Sequence, residues 1–268
     1  MVKIRGGIYM KKSLWALFLI ASALTLVLAG CGTKEDSSSG ASEDKKVYKV
    51  ATEATFAPFE SVDDKGNIVG IDVDVLQAIA DEMDFEVEWR NIGWEPVFQS
   101  IKNSETDIGA SGITITDDRK KTYDFTEPYF ESQLLIVVKE DSNISSLADL
   151  KDKKISVQIN ATGHMAAKKL QGDTSTNILA FETQPLAIQE MLNGNVDATI
   201  GDNAVVYEYM KANPNANIEV IEDDDFEKEY YGFMVRKGNE ELLSLLNEGL
   251  QKIKDNGKLK EITGSDFK

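Results

Sequence analysis

From Val47 onward, short strand-like runs alternate with helix-like stretches, and that alternation restricts the fold more than any other feature. "VYKVAT" (47–52) is a β-rich run ending in polar residues. After the turn "DDKGN", residues 72–84 set Val75, Leu76, Ile79, Ala80 and Met83 at helical spacing behind Asp72 and Asp74. "FEVEWRNI" alternates as a strand does, and Pro96 in "WEPVFQSIKN" suits a first helical turn. "DIGASG" and "QLLIVVK" read as buried strands. Strands separated by helices in this way predict an α/β fold with parallel pairing and right-handed crossovers.

The rhythm restarts after Lys139, with "KISVQ", "NILAFE" and "VDATIGD" as strands. Helices are expected over 163–170, "QPLAIQEMLNG" with Gly194 past its end, and "NAVVYEYMKANP" stopped by Pro214. "SETDIGASG" and "NGNVDATIGD" occupy matching places in the two halves. This internal echo predicts two lobes of similar construction, 47–136 with 232–268 and 137–231. The leucine-rich helix before Gly257 is expected to pack back on the first lobe. Open α/β sheets bind ligands beyond their C-terminal strand ends. "TEATFAPFE", "NIGWEP", "SGITITDDR", "QINATG" and "GDNA" all lie there, and facing lobes would bring them to one cleft.

At 268 residues the chain has room for two modest cores. Acidic residues outnumber basic ones 46 to 29, a net charge of −17, which argues against a nucleic-acid partner. No nucleophile elbow, Cys/His pair or phosphate-binding loop is present, and His164 is the sole histidine. We expect His164 to be a solvated side chain, and no metal, cofactor or catalytic residue.

The first thirty residues differ from the rest. Lys11 and Lys12 precede "SLWALFLIASALTLVLAG", which ends at Cys31, the only cysteine. A charged start, an apolar run and small residues read as an export signal over 1–30, in preference to a membrane span. "LAGC" resembles the lipobox of bacterial lipoproteins, which implies lipidation of Cys31, a membrane anchor and an extracytoplasmic location. Residues 31–46, rich in Ser, Gly and charge, read as a flexible tether. Met10, followed directly by the two lysines, is a candidate initiator.

Arg119 follows "SGITIT" at the start of a short helix with Thr116 as its cap. A guanidinium there can hold a carboxylate in a two-pronged grip, beside the Gly112 N–H and the Thr114 hydroxyl. Equally, Arg119 can pair with Asp117 or Asp118. Asp202, between strand and helix, is a helix cap, an acceptor for a ligand ammonium, or both. Phe56 and Trp94 are assigned to a pocket, where their faces would attract a cation, and Phe59 to the core.

"ATEATFAPFE", "GIDVDVLQAIADEM", "NIGWEPVF", "SGITITDDRKKTYDFTEPYFES" and "FETQPLAIQEMLNGNVDATIGDNAV" closely resemble the polar amino-acid-binding lipoproteins of ABC transporters, from Val47 to Phe267. The resemblance implies a two-lobed, type II periplasmic-binding-protein-like fold. Each lobe would be a mainly parallel sheet flanked by helices, and two crossing strands would join them. The protein would be monomeric, closing on one free amino acid and passing it to permease subunits. It further implies Arg119 on the ligand α-carboxylate, supported by Ser111 and Gly112 main chain, Thr114 and Thr162. Asp202 would hold the ammonium, Phe56 and Trp94 would flank the side chain, and Glu53 and Gln158 would face its far end. Glu53 stands where many relatives carry aspartate, and "QINATG" replaces the commoner Gly-Thr-Thr pattern. With Arg119 and Asp202 matched to the zwitterion, Glu53 favours a cationic side chain, as in the arginine/lysine/histidine-binding branch. Glutamine binding is the alternative, and a dehydratase or lyase on this fold is a more distant one.

Overall fold

A computed structural model describes residues 45–265; the expected signal, Cys31, both candidate starts and all of the expected tether but Lys45 and Lys46 lie outside the described residues. The first element is β1 (Val47–Thr52), whose inward residues Tyr48 and Val50 are buried. A small antiparallel sheet follows, made of β2 (Thr55–Phe56), β3 (Glu60–Val62) and β4 (Ile68–Val69). Then come α1 (Ile71–Met83), β5 (Glu86–Asn91), α2 (Trp94–Lys102) and β6 (Ile108–Gly109). The "DDRK" segment forms α3 (Asp117–Lys120), with the Thr116 hydroxyl accepting from the Arg119 N–H, and leads into β7 (Tyr123–Phe125).

A long strand, β8 (Phe130–Val138), carries the chain onward to β9 (Ile155–Gln158), α4 (Thr162–Gln171) and β10 (Ile178–Phe181). Next are α5 (Gln184–Leu192), begun by the Thr183 hydroxyl accepting from Leu186 N–H, β11 (Ala198–Asp202) and α6 (Asn203–Ala212). β12 (Glu219–Ile221), β13 (Lys228–Tyr231) and β14 (Met234–Arg236) precede α7 (Glu240–Asp255) and α8 (Lys258–Thr263).

Two mixed sheets carry the two lobes. The first runs β5-β1-β6-β14-β7 and the second β10-β9-β11-β8-β12, with β13 pairing β8. Only a trio in each is parallel, β5-β1-β6 and β10-β9-β11, because those strands are separated by crossover helices. The remaining pairings are antiparallel: β8 carries the chain out of the first lobe and β13 and β14 bring it back, while β7 and β12 pair along them.

The internal echo is visible in hydrogen bonds. Asp107 Oδ2 accepts from Lys49 N–H at 2.8 Å, and Asp197 Oδ2 accepts from Lys154 N–H at 2.8 Å. Each aspartate thus ties the entry of the third strand of its trio to the entry of the first. Hydrophobic cores fill both lobes, and α7 lies on α1, where Gly249 faces Ile79 and Met83. Phe59 is fully buried with its edge against Phe130 and Tyr231, as its core assignment requires.

β8 changes partners midway. It pairs β13 over Phe130–Gln133, then β11 over Leu134–Val137. The β8–β13 ribbon therefore joins the sheets and reaches the ends of the parallel trios. That position matters for the site.

Candidate functional site

The strand ends of both lobes meet over a tight cavity of about 10 Å³, room for little more than one water with the lobes this close together. All ten residues singled out above line it: Glu53, Phe56, Trp94, Ser111, Gly112, Thr114, Arg119, Gln158, Thr162 and Asp202, together with Ala161. The lobes are closed on each other. Trp94 Nε1 donates to Ile159 O at 2.8 Å, Arg119 Nη2 to Asn160 O at 3.2 Å, and Asn160 Nδ2 to Glu95 Oε1 at 2.6 Å.

Arg119 is 7% exposed and does not turn to the aspartates beside it; Asp118 pairs with Lys121 instead. Its Nη1 donates to Thr114 O at 2.8 Å, and its guanidinium lies 5.3 Å from the Trp94 ring centre and 5.2 Å from that of Phe98. Stacking and carbonyl bonds fix the plane of the fork while using only two of its five N–H groups. Burial lowers its pKa to about 10, so it stays charged at neutral pH.

Asp202 sits at the α6 N-cap position, yet its side chain makes no capping bond. Instead Oδ1 accepts from Tyr231 OH at 2.6 Å and Ser132 Oγ at 3.2 Å, both on the connecting ribbon. Burial raises its pKa, opposed by those two hydroxyls and Arg119. Glu53 is likewise buried and raised. Its Oε1 accepts from Thr55 Oγ1 at 2.6 Å, while Oε2 is buried without a partner. An orphaned carboxylate oxygen in a closed cavity is costly unless a ligand donates to it. Gln158 is held by its Nε2 bond to Glu182 O at 3.2 Å.

Three expectations need correction. The Gly112 N–H does not face the cavity but donates to Asp72 Oδ2 at 2.9 Å. Gly112 has φ +52°, and a Cβ there would lie 2.6 Å from the Phe56 ring, so what the glycine permits is this packing. The Thr114 hydroxyl is not free to support a carboxylate either, since it donates to Glu229 Oε2 at 3.1 Å. His164 is buried, with Nδ1 accepting the Asn160 N–H at 3.0 Å, because the tight loop leaves that amide no main-chain partner.

The site also rests on residues that sequence reasoning passed over. Ser111 Oγ accepts from Glu53 N–H at 3.0 Å and donates to Glu60 Oε1 at 2.9 Å. Asp72, beside Glu60, accepts from Tyr129 OH at 2.6 Å. Burial and the Asp72 charge push the Glu60 carboxyl well up, and burial holds Asp72 at about 6. One legible signal existed: in "KEYY" Glu229 and Tyr231 share a strand face, between a lysine and a tyrosine that point outward.

Residues 48–265 match the bacterial extracellular solute-binding proteins, family 3. The chain belongs to that family. A probable histidine-binding protein of Neisseria gonorrhoeae is 40% identical over 253 residues, covering 92% of this chain and 94% of the relative. The arginine-binding extracellular protein ArtP of Bacillus subtilis is 33% identical, covering 94% and 96%. The solved structure of the arginine-, lysine-, histidine-binding protein ArtJ from Geobacillus stearothermophilus superposes with a TM-score of 0.78 at 50% identity, over 81% of this chain and 93% of that one. These family 3 relatives are binding proteins by name. Membership accounts for the two-lobed type II architecture and makes an extracytoplasmic solute-binding role the coarse function of the chain.

Proposed function

We propose that this family 3 protein captures one free basic amino acid between its lobes and hands it to the permease of an ABC importer. The orphaned Glu53 Oε2 carries the reading. Arg119 supplies a cation for the α-carboxylate, together with first-turn N–H groups of α4, which begins at Thr162. Asp202 supplies the anion for the α-ammonium. Glu53, flanked by Phe56 and Trp94, is then left over at the far end beside Gln158, and a positively charged side chain satisfies it. A glutamate ligand would instead bury a like charge there, which a low-dielectric site disfavours.

In this reading the mature protein is exported and held at the membrane through Cys31, acts as a monomer and performs no covalent chemistry. The lobes swing on the β8–β13 ribbon, and ligand contacts to both of them favour the closed arrangement.

Calorimetric titration of the protein with the twenty amino acids tests this, with arginine, lysine or histidine expected to bind tightest. Glu53→Gln should weaken arginine by about tenfold or more and leave glutamine, the nearest competitor, little changed. An equal loss for both ligands contradicts the charge assignment. Chromatography of the bound ligand should recover it unaltered; conversion to another compound would instead favour a dehydratase or lyase.

A further inference from the structure

Asp202 has the main chain of a helix cap, but its side chain does not cap. With φ −69° and ψ 137° it stands at the N-cap of α6, where an aspartate ordinarily accepts from the first turn. Its carboxylate makes no such bond, and the Ala204 N–H of that turn goes to Asn203 Oδ1 at 2.7 Å. Tyr231 OH instead donates to Asp202 Oδ1 at 2.6 Å, and Ser132 Oγ lies 3.2 Å from the same oxygen. Tyr231 ends β13 and Ser132 lies on β8, so both hydroxyls come from the ribbon that joins the lobes.

The Tyr231 ring is locked in place. It is fully buried in the core of the first lobe, stacked on Phe130 at 5.7 Å and edge-on to Phe59 at 4.9 Å. A phenol has one proton to give, and the 2.6 Å bond directs it to Asp202. We propose that Tyr231, seconded by Ser132, is a positioning residue of the amino-acid site: it draws the Asp202 carboxylate off the α6 cap and holds Oδ1, so that Oδ2 meets the ligand α-ammonium. Neither hydroxyl belongs to the cavity lining, so both act through Asp202. The inference rests on the amino-acid-binding reading and deepens it, whichever side chain the ligand carries.

The charged and titratable groups facing Asp202 are Tyr231 and Glu229 on β13 and Arg119 on α3. Burial raises the Asp202 carboxyl, and the Tyr231 and Ser132 hydroxyls and Arg119 oppose that rise. Removing the Tyr231 donor therefore moves the carboxyl further up. Only the ionised form holds an ammonium, so without that donor the loss of binding on acidification begins at a higher pH.

The test is calorimetric titration of the wild type and Y231F with L-arginine and with des-amino-arginine, which lacks only the α-amino group, from pH 5.5 to 8.5. The weaker analogue is read by competition. At pH 8, Y231F should bind arginine about tenfold more weakly than the wild type and the analogue no more weakly, so the ratio of the two affinities shrinks. Its arginine affinity should also start to fall at a higher pH. An unchanged arginine affinity, or an equal loss for both ligands, overturns the inference alone, the latter because it marks a merely structural role. Should Y231F fail to fold, S132A decides: its ratio should shrink by about threefold, and an unchanged ratio overturns the proposal. If the wild type binds glutamine in place of arginine, the basic ligand class falls, and glutamine against des-amino-glutamine decides the inference by the same ratio. A wild type that binds no amino acid overturns the function reading and the inference with it.

Discussion

Arg119 shows how a side chain can be buried, charged and available at once. Its guanidinium is held by the Thr114 and Asn160 carbonyls and by two aromatic faces, none of which neutralises it. Arg119→Ala should therefore abolish amino-acid binding, at a cost of about 3–5 kcal/mol from stranding a desolvated ligand carboxylate. Calorimetry on a variant shown to be folded by its thermal transition checks this; wild-type affinity would refute the assignment. Residue types at strand ends made Arg119 and Asp202 candidates, each with a structural alternative in ion pairing or helix capping, and the family resemblance chose between them. Glu229 was harder to see. Its sequence neighbourhood is a charged, aromatic strand, and its bonds go to two threonines 115 and 67 residues away.

Among elements, the helices were the most readable, since apolar spacing and capping residues act within a few turns. Residues 72–84 and the run before Gly257 formed α1 and α7 with only small shifts at their ends. What spacing could not show was why Gly249 interrupts the leucines of α7. A Cβ there would meet Ile79 Cγ2 at 2.6 Å, so the glycine sets how closely α7 approaches α1. Gly249→Val should force the helices apart and destabilise the first lobe by about 1–3 kcal/mol, read from the denaturant midpoint. The short strands β2, β3 and β4 were missed because runs of two or three residues carry no periodicity.

For the whole molecule, the buried acids make stability depend on pH in an uncommon direction. Asp72 is held at about 6 by burial, and Glu60, Glu53 and Asp202 are raised as well. A carboxyl raised in the folded state binds its proton more tightly there than in the unfolded chain. Its stabilising contribution is complete below the unfolded value near 4 and is lost as pH rises through the folded value. Self-repulsion within a chain of net charge −17 acts in the same direction. The ligand-free protein should melt at a higher temperature at pH 5 than at pH 7.5, and Glu60→Gln should flatten that difference. A melting temperature that rises with pH would contradict it. Basic ligand, in contrast, should stabilise more at pH 7.5 than at pH 5.

The sequence by itself determined the α/β alternation, the doubled lobe plan and the set of residues at the cleft. The alternation, the lobe plan and the cleft segments follow from local periodicity and the rule that polar strand ends gather on one edge, whereas Glu53, Ser111, Gln158 and Thr162 were singled out by the family resemblance. Tertiary structure alone decided which hydrogen-bonding groups at that edge remain free. Gly112 N–H goes to Asp72, the Thr114 and Thr162 hydroxyls go to Glu229, and Glu53 Oε2 is left bare. The reason is that a donor has one proton to direct, and its target is chosen by whichever acceptor long-range packing brings within 3 Å or so.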